Sequence, residues 1–510
     1  MPIGQLIFPA LVSVSAVTST VNIAGADDAL SAFGRRASVS IELADFAYHD
    51  RATDPYQAER ISGAAQIDEA GYDPATRGTF FAKLRARWPH YAGRALRVVQ
   101  AEIEGGALVG SITRNYIITG FSPPDDRGRV TIEATDILDL AGNDRALCPK
   151  PAEGYLLAAI DTAATALTLT PSGIGAKYAT SGRAVVGSEI VSFTRSGDVV
   201  TLTARALAGS ALASHAAGET FQPVFWANDM RLDDLVKTLL VDYAGVPLAF
   251  IPVATWEAEI TRWLPDVLAQ THICSPTGVA KLVGELAALG LSVWWDDVAQ
   301  TIGLKTNRPP FTDTVYDLTE AAHLTAIETI DRDDARLTEV LFYTVQKDPT
   351  KSATDPDNFR RAAYVFDAKA KAALAYGDTR TRKIFCRWFN NGSDSAVLVL
   401  AGRLLKRFNS APVHVRLRVD WKDAAIGLTD VLRVSHPSLA DATGRATPTL
   451  LQTVSRTEPE RGHEVELVAQ AYQFAGRYGA AMANTAPVFG SASDLEKETG
   501  EFACDDITLL

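Results

Sequence analysis

The side chains in this chain that could do chemistry lie in a few short stretches. Asp331-Arg332-Asp333-Asp334, running on to Glu339, has the acidic spacing with which a calcium-binding loop opens. Such a loop needs a glycine at its sixth position, here Arg336, and a glutamate at its twelfth, which is missing. A solvated turn is the expected outcome. His272-Ile273-Cys274 puts an imidazole near a thiol. Near neighbours on one segment rarely converge into a nucleophile and base without a third group to orient them. The pairs Asp296-Asp297 and Asp233-Asp234 are the raw material of a glycosidase. No segment looks like a lysozyme domain, so they read as a solvated turn and the polar face of a helix. Trp256, Trp263, Trp294 and Trp295 could stack on sugars or bases, but packing in a core or subunit interface suits them better. Ile174-Gly175-Ala176 and Gly182 read as turns, because no strand–loop–helix surrounds them to cradle a phosphate. No G-x-S-x-G, H-E-x-x-H or Walker sequence occurs. No catalytic, cofactor-binding or metal-ligating residue is therefore assigned, and no cofactor is expected.

The four cysteines, Cys148, Cys274, Cys386 and Cys504, are each more than a hundred residues from the next. That is neither a metal-ligand pattern nor a disulfide framework; buried thiols folded in a reducing cytoplasm are expected. The chain has 510 residues, enough for about three or four domains. Apolar residues make up 47% and charged residues 22%, the balance of a globular protein rather than a disordered one. With 49 basic and 61 acidic residues the net charge is −12, which argues against direct nucleic-acid binding. Lys406-Arg407 and Arg35-Arg36 are isolated basic pairs. The apolar N-terminus lacks a basic leader region, and from Leu11 it alternates as strands do. No run of about 18 apolar residues offers a membrane span.

The elements that must position these residues are mostly strands. Over residues 1–150, alternation at 38–43, 97–103, 115–121 and 129–134 predicts a β-barrel, with turns at Glu104-Gly105-Gly106 and Pro123–Gly128. One short helix over 78–88 has Thr79 as its cap and Pro89 beyond its end. Residues 151–225 predict a small β-rich insert, with strands 189–195 and 199–205 joined at Ser196-Gly197-Asp198 and a loop over 206–218. Residues 226–310 predict an α+β module. In it, a helix over 230–240 is capped by Asp229 and apolar at 232, 235, 236, 239 and 240. A second helix follows Ser275-Pro276-Thr277 and closes at Gly290, and a hairpin spans 291–305. Residues 311–478 predict a second set of long alternating strands, at 336–345, 415–420 and 464–470. They add a mobile polar loop over 348–359 and a helix over 395–408 with Leu398, Ala401, Leu404 and Leu405 inward. Residues 479–510 predict an extended docking segment. The fold class is thus α+β, mostly β, and multidomain.

Three blocks resemble a known family. Ala47-Tyr48-His49-Asp50-Arg51 to Asp54-Pro55-Tyr56, then Gly78-Thr79-Phe80 and Arg85–Arg94, resemble the first hub domain of siphophage baseplate proteins. The strand pair at Ser196-Gly197-Asp198, ending in Ala213–Gly218, resembles a β-insert of tail proteins. Val431–Val434, Ser438-Leu439 and Asp441–Arg445 resemble the second hub barrel. Together, over residues 35–475, they are similar to the tail-tip protein J family of lambda-like phages and to transposable-phage hubs. The resemblance implies a non-enzymatic homotrimer at the phage tail tip, made in the host cytoplasm, with two related barrels per subunit forming a pseudo-sixfold ring. It implies as partners the distal tail protein, the tape-measure C-terminus, other baseplate proteins and a central tail fibre. It also implies a channel for tape measure and DNA during ejection, whose acidic lumen lets DNA slide. No sequence-specific nucleic-acid binding and no stable membrane insertion are expected. Since the sequence stops at Leu510 without fibronectin-like modules, receptor binding is expected to fall to a separate fibre. A cell-wall-degrading tail enzyme and a receptor-binding adhesin remain the alternatives.

Overall fold

The computed structural model describes residues 8–15, 17–25, 30–31, 33–47, 78–105, 107–297, 299–310, 312–372, 379–390, 394–409, 413–440, 443–460, 463–472, 487–488 and 490–494. Tyr48–Tyr56 of the first resemblance block, Gly106, Asp441-Ala442, Cys504 and most of the segment from 480 to 510 lie outside the described residues.

The first sheet is built from β1 (Leu11–Val14), β3 (Ser38–Ala44), β4 (Ala95–Glu104), β5 (Ala107–Phe121) and β6 (Arg129–Thr135). Its order is β1-β3-β6-β5-β4, antiparallel throughout, with β1 and β4 at its edges. The intervening β2 (Thr18–Thr20) leaves this sheet for another. Val39, Ile41, Val130 and Ile132 are buried, as alternation requires. The strand expected at 115–121 is the end of a 15-residue strand that begins at the β4–β5 turn. Helix α1 (Phe80–Arg87) is not capped by the Thr79 side chain. Asp45, at the end of β3, takes that role: its Oδ1 accepts from the Phe81 N–H at 2.8 Å, and Thr79 Oγ1 donates to Oδ2. A carboxylate satisfies the free N–H groups of a helix start better than a hydroxyl, and it favours the positive end of the dipole. A short helix, α2 (Asp139–Gly142), follows β6.

The segment β7 (Leu147–Cys148) leads into the insert. The insert's strands are β8 (Tyr155–Leu156), β9 (Ala166–Thr170), β10 (Ser181–Val186), β11 (Glu189–Ser196), β12 (Val199–Ala204) and β13 (Phe221–Pro223). They form one sheet in the order β13-β10-β11-β12-β9-β8, around a core with Leu156, Leu169, Val191, Phe193 and Phe221. Gly182 lies inside β10 rather than in a turn, while Ile174–Lys177 forms a 3-10 turn.

In the α+β module, β14 (Phe225–Arg231) occupies the place expected for a helix start. Met230 and Arg231 pair with Ala269 and Leu268 of β15 (Leu268–Ile273), so the sheet uses their backbone. Asp229, at φ 50°, is not a cap. Helix α3 (Leu232–Thr238) starts two residues later and runs into a π-helical turn over Leu239–Tyr243. Its five stripe residues are all fully buried. Then come α4 (Val253–Trp263), β16 (Thr277–Gly278, paired with β7), α5 (Val279–Ala287) and the hairpin β17 (Leu291–Asp296) and β18 (Thr301–Thr306). The four tryptophans pack inside; Trp256 donates to the Ile302 carbonyl at 2.9 Å.

The rest of the chain divides between two places. Strands β19 (Val315–Thr319) and β20 (Leu324–Asp331) belong to the second sheet. In contrast, β21 (Glu339–Gln346), β22 (Phe359–Phe366) and β23 (Thr381–Phe385) form their own sheet in the order β22-β21-β23. A single turn of helix, α6 (Ala368–Lys371), follows β22. Val340, Phe342, Trp388, Phe389 and helix α7 (Asp394–Phe408) share one core with the α+β module and the first sheet. On α7, Val397, Leu400, Ala401, Leu404 and Leu405 point inward. Leu398 does not; it is 57% exposed, because the buried stripe runs through its neighbours 397 and 400 instead. The 348–359 loop is held internally by Asn358, which donates to the carbonyls of Asp348 and Ser352, both at 3.0 Å.

The second sheet closes with β24 (Val413–Asp420), β25 (Val431–Ser435), β26 (Thr449–Glu460) and β27 (Glu464–Ala471), in the order β19-β25-β26-β27-β24-β20. The pair β19–β25 is parallel. Val415, Leu417, Val419, Val465, Leu467 and Ala469 form its dry face. Each of the valines and leucines is worth about 1.5–3 kcal/mol when fully buried. β2 adds to β26 beyond the end of its pairing with β25, joining Thr18–Thr20 to Ser455–Thr457.

Candidate functional site

The first sheet, the second sheet and the α+β module meet at a buried charged joint. Arg114 projects from β5, Arg456 and Glu458 from β26, and Asp297 follows β17; all four are buried. Arg114 grips Glu458 with both guanidinium arms, Nη1 to Oε2 at 2.8 Å and Nη2 to Oε1, and turns its Nε to Asp297 Oδ2 at 3.1 Å. Arg456 Nη1 meets Glu458 Oε1 at 2.8 Å and donates from Nε to the Ile426 carbonyl at 3.1 Å. Burial pushes the Glu458 carboxyl upward, but the two guanidinium groups outweigh it and hold the group below its usual range. For Asp297 burial wins, and its pKa is raised despite Arg114 and Arg456. Bidentate pairing fixes orientation as well as charge. A buried charge left alone costs several kcal/mol, roughly 3–5.

Two further bonds tighten the same region. The β2 strand crosses from the first sheet to the second, and Thr18 and Thr20 bond the side chains of Thr457 and Ser455 at 3.0 and 3.2 Å. Behind them, Arg308 holds Glu259 of α4 at 3.0 Å and Asp313 at 2.8 Å, while Lys305 reaches Asp313 at 3.1 Å. Arg407, from the Lys406-Arg407 pair, is buried and donates to Gln452 Oε1 at 2.6 Å.

A second buried network lies inside the insert. Glu189 is fully buried and accepts from Arg205 at 2.7 and 3.0 Å, from His215 Nε2 at 2.9 Å and from the N–H groups of Ala206 and Ala213. His215 Nδ1 meets Glu219 at 2.9 Å. Burial raises the Glu189 pKa, but the bonds from Arg205 and His215 dominate and hold it at about 2. This network ties the 206–218 loop to β11.

The residues singled out for chemistry do not converge on one another. Asp333 pairs with Arg336 and Arg380, and Arg332 with Asp334, in an ion-paired turn at the surface. Among the described residues no cluster of three or more His, Cys, Asp or Glu side chains could hold a metal ion. His272 and Cys274 are separated by their environments. His272 meets Arg183, and burial with that cation drives its pKa to about 4. Cys274 packs on Val185 and Ile190, and burial lifts its thiol to about 12. Burial does the same to Cys148 and Cys386. Asp297 and Asp233, expected in solvent, are buried: Asp297 lies in the joint, and Asp233 is bonded by Arg231 at 2.9 Å. Among the described residues no helix is long and apolar enough to cross a membrane.

No protein-family model matches the chain, and no curated protein does. Among solved structures it is similar to a 43 kDa tail protein of prophage MuSo2 from Shewanella oneidensis, with TM-score 0.38 and 10% identity over 91% of this chain and 95% of that one. It is similar to prophage tail protein gp18 from Listeria monocytogenes EGD-e, with TM-score 0.36 and 8% identity over 92% and 91%. The E. coli c3393 protein, described as a type VI secretion component with structural similarity to bacteriophage T4 tail proteins, gives 0.36 and 9% over 95% and 80%.

The joint was not visible in the sequence. Arg114, Arg456 and Glu458 sit in alternating strands, where a charged residue reads as facing water. The one available signal was length: β26 outruns its neighbours, so part of it needs another partner.

Proposed function

We propose that this chain is a structural subunit of a phage tail, the central hub of its baseplate, working as a homotrimer around the tail axis. In this reading the first sheet, within residues 1–150, and the second sheet, within residues 311–478, supply the two ring-forming units, 151–225 an insert, 226–310 the module between them and 479–510 a docking segment. The observation that carries it is the buried joint. Arg114 and Glu458 stand 344 residues apart, and with Arg456 and Asp297 they bind both sheets into one stiff body. A ring subunit that transmits load needs that stiffness. Open sheet edges give supporting evidence: Leu11 on β1 and Val99 on β4 are 63% and 55% exposed on strands with a free flank, the kind of surface that neighbours cover. The net charge of −12 suits a channel past which DNA slides. The role is mechanical rather than enzymatic, within the virion, beside the distal tail protein, the tape measure, other baseplate proteins and the central fibre.

The test is the mass of the full chain in solution, by light scattering, together with imaging of tail tips. A trimer that is found at the tip supports the reading. A monomer absent from particles, or cell-wall hydrolysis lost on changing a single carboxylate, would overturn it.

A further inference from the structure

Away from the joint, a cleft of 360 Å³ opens where the insert, the β14–β15 pair and the three-stranded sheet meet. In a chain with net charge −12, its described lining includes Arg183, Lys347 and Arg360 and no aspartate or glutamate. Arg360 has no carboxylate partner among the described residues. The nearest acid in sequence to Lys347, Asp348, turns away toward Thr350 and Lys351. Arg183 lies 3.5 Å over the ring of Trp226 and meets His272, which is neutral near pH 7 and adds no charge of its own. The Arg183 guanidinium is therefore fixed by stacking rather than neutralised.

The cleft also carries an unmet polar group. Gln346 is only 7% exposed, and its Oε1 has no hydrogen-bond partner among the described residues. The Nε2 end of the same amide donates to the Lys351 carbonyl at 3.4 Å, which orients the group, and the backbone N–H is already taken by Asn390 Oδ1 at 2.7 Å. A buried amide oxygen without a donor is rare and calls for one. Ligand hydroxyls supply such donors. The backbone here is strained as well. Val345, a β-branched residue at φ 60°, lies between Thr344 and Gln346, whose partners Arg361 and Phe359 flank Arg360. Strain of this kind persists where surrounding structure enforces it, often at binding sites. The insert is seated on the cleft by Gly209, at φ 87°; a Cβ there would stand 2.0 Å from the Lys347 carbonyl oxygen.

Cations without counter-ions, amides and an exposed indole together match one class of ligand. We propose that the cleft binds an oxyanion, a phosphate or carboxylate, carried on a hydroxylated body the size of a sugar. Arg360 and Lys347 pair with the anion, Arg183 holds its stacked position beside it, and Gln346 Oε1 accepts a ligand hydroxyl. Charge-assisted bonds from arginine are the strong ones in such a site.

Calorimetric titration of the full chain tests this with glucose 6-phosphate and glucuronate as anionic probes and glucose as the neutral one. Binding of either anion, with glucose silent, is expected, and the arm that binds more tightly tells phosphate from carboxylate. Arg360→Glu, at an exposed position, should weaken binding roughly tenfold or more, the loss of one charge-assisted pair. Lys347→Glu repeats the test at a second position should the first variant fold poorly. Heat from neither anion, equal binding of glucose, or undiminished binding by both variants would overturn the proposal.

Discussion

Two buried carboxylates in this protein are gripped in the same way and serve different ends. Glu189 is held by Arg205 and His215 from within 26 residues, all inside the insert. Glu458 is held by Arg114 across 344 residues, between two sheets. The first network closes a loop onto the strand beside it. The second joins parts of the chain that have separate hydrophobic cores: the dry face of the second sheet is distinct from the core shared by the first sheet and the α+β module. Hydrophobic burial holds each part together without regard to direction. The bidentate pair adds what burial cannot, one fixed orientation of part against part.

The sharpest way to break this contrast is Glu458→Ala. It leaves Arg114 and Arg456 buried without their shared partner, at a cost of roughly 3–5 kcal/mol. Calorimetry should show the melting of the whole chain lowered and split, with the two sheets unfolding apart; a single unshifted transition would show that the joint contributes nothing. Glu189→Gln should cost less, about 1.5–3 kcal/mol, the worth of hydrogen bonds to a charged group. Its effect should stay within the insert, seen as faster hydrogen exchange over 206–218 and unchanged protection in β26.

Acid separates the networks from ordinary surface carboxylates. Glu189 has its folded pKa depressed from 4.5 to about 2. Its stabilising contribution is present in full above the unfolded value and is lost as pH falls through about 2. Glu458 is depressed too, so its contribution is lost in the same direction. Stability of the Glu189→Gln variant should therefore approach that of the parent as pH falls below 4.5; a constant gap down to pH 2 would contradict the assignment. The smallest effect belongs to the outer face of the second sheet. Arg418 meets Glu464 at 3.6 Å and Glu466 at 3.3 Å in solvent. Arg418→Ala should cost roughly 0.2–1 kcal/mol, and salt should erase the difference.

Much of the fold was legible from local pattern. The strands at 38–43, 129–134, 415–420 and 464–470 appear where alternation put them, because one wet and one dry face is a property of the strand itself. The hairpin at Ser196-Gly197-Asp198 follows from Gly197 at φ 61°. Helix α4 was missed, although Trp256, Ile260 and Trp263 repeat at helical spacing and are all buried; read only as aromatics, they hid their period. The start of α3 was misplaced because pairing with β15 overrode the local helix signal. Leu398 was misplaced for a similar reason: the stripe on α7 is wide enough to be drawn two ways, and only the neighbour it packs against chooses.

The amino-acid sequence by itself determined the strands, most of the helices and the dry face of each, because these depend on neighbours a few residues away. Only the tertiary structure decided which charges are buried and which cations stand together. Arg114 with Glu458, and Arg183 with Arg360, are brought together by the docking of separate sheets. Whether a charge faces water or a partner depends on what lies across the interface, and nothing within a few residues of it carries that information.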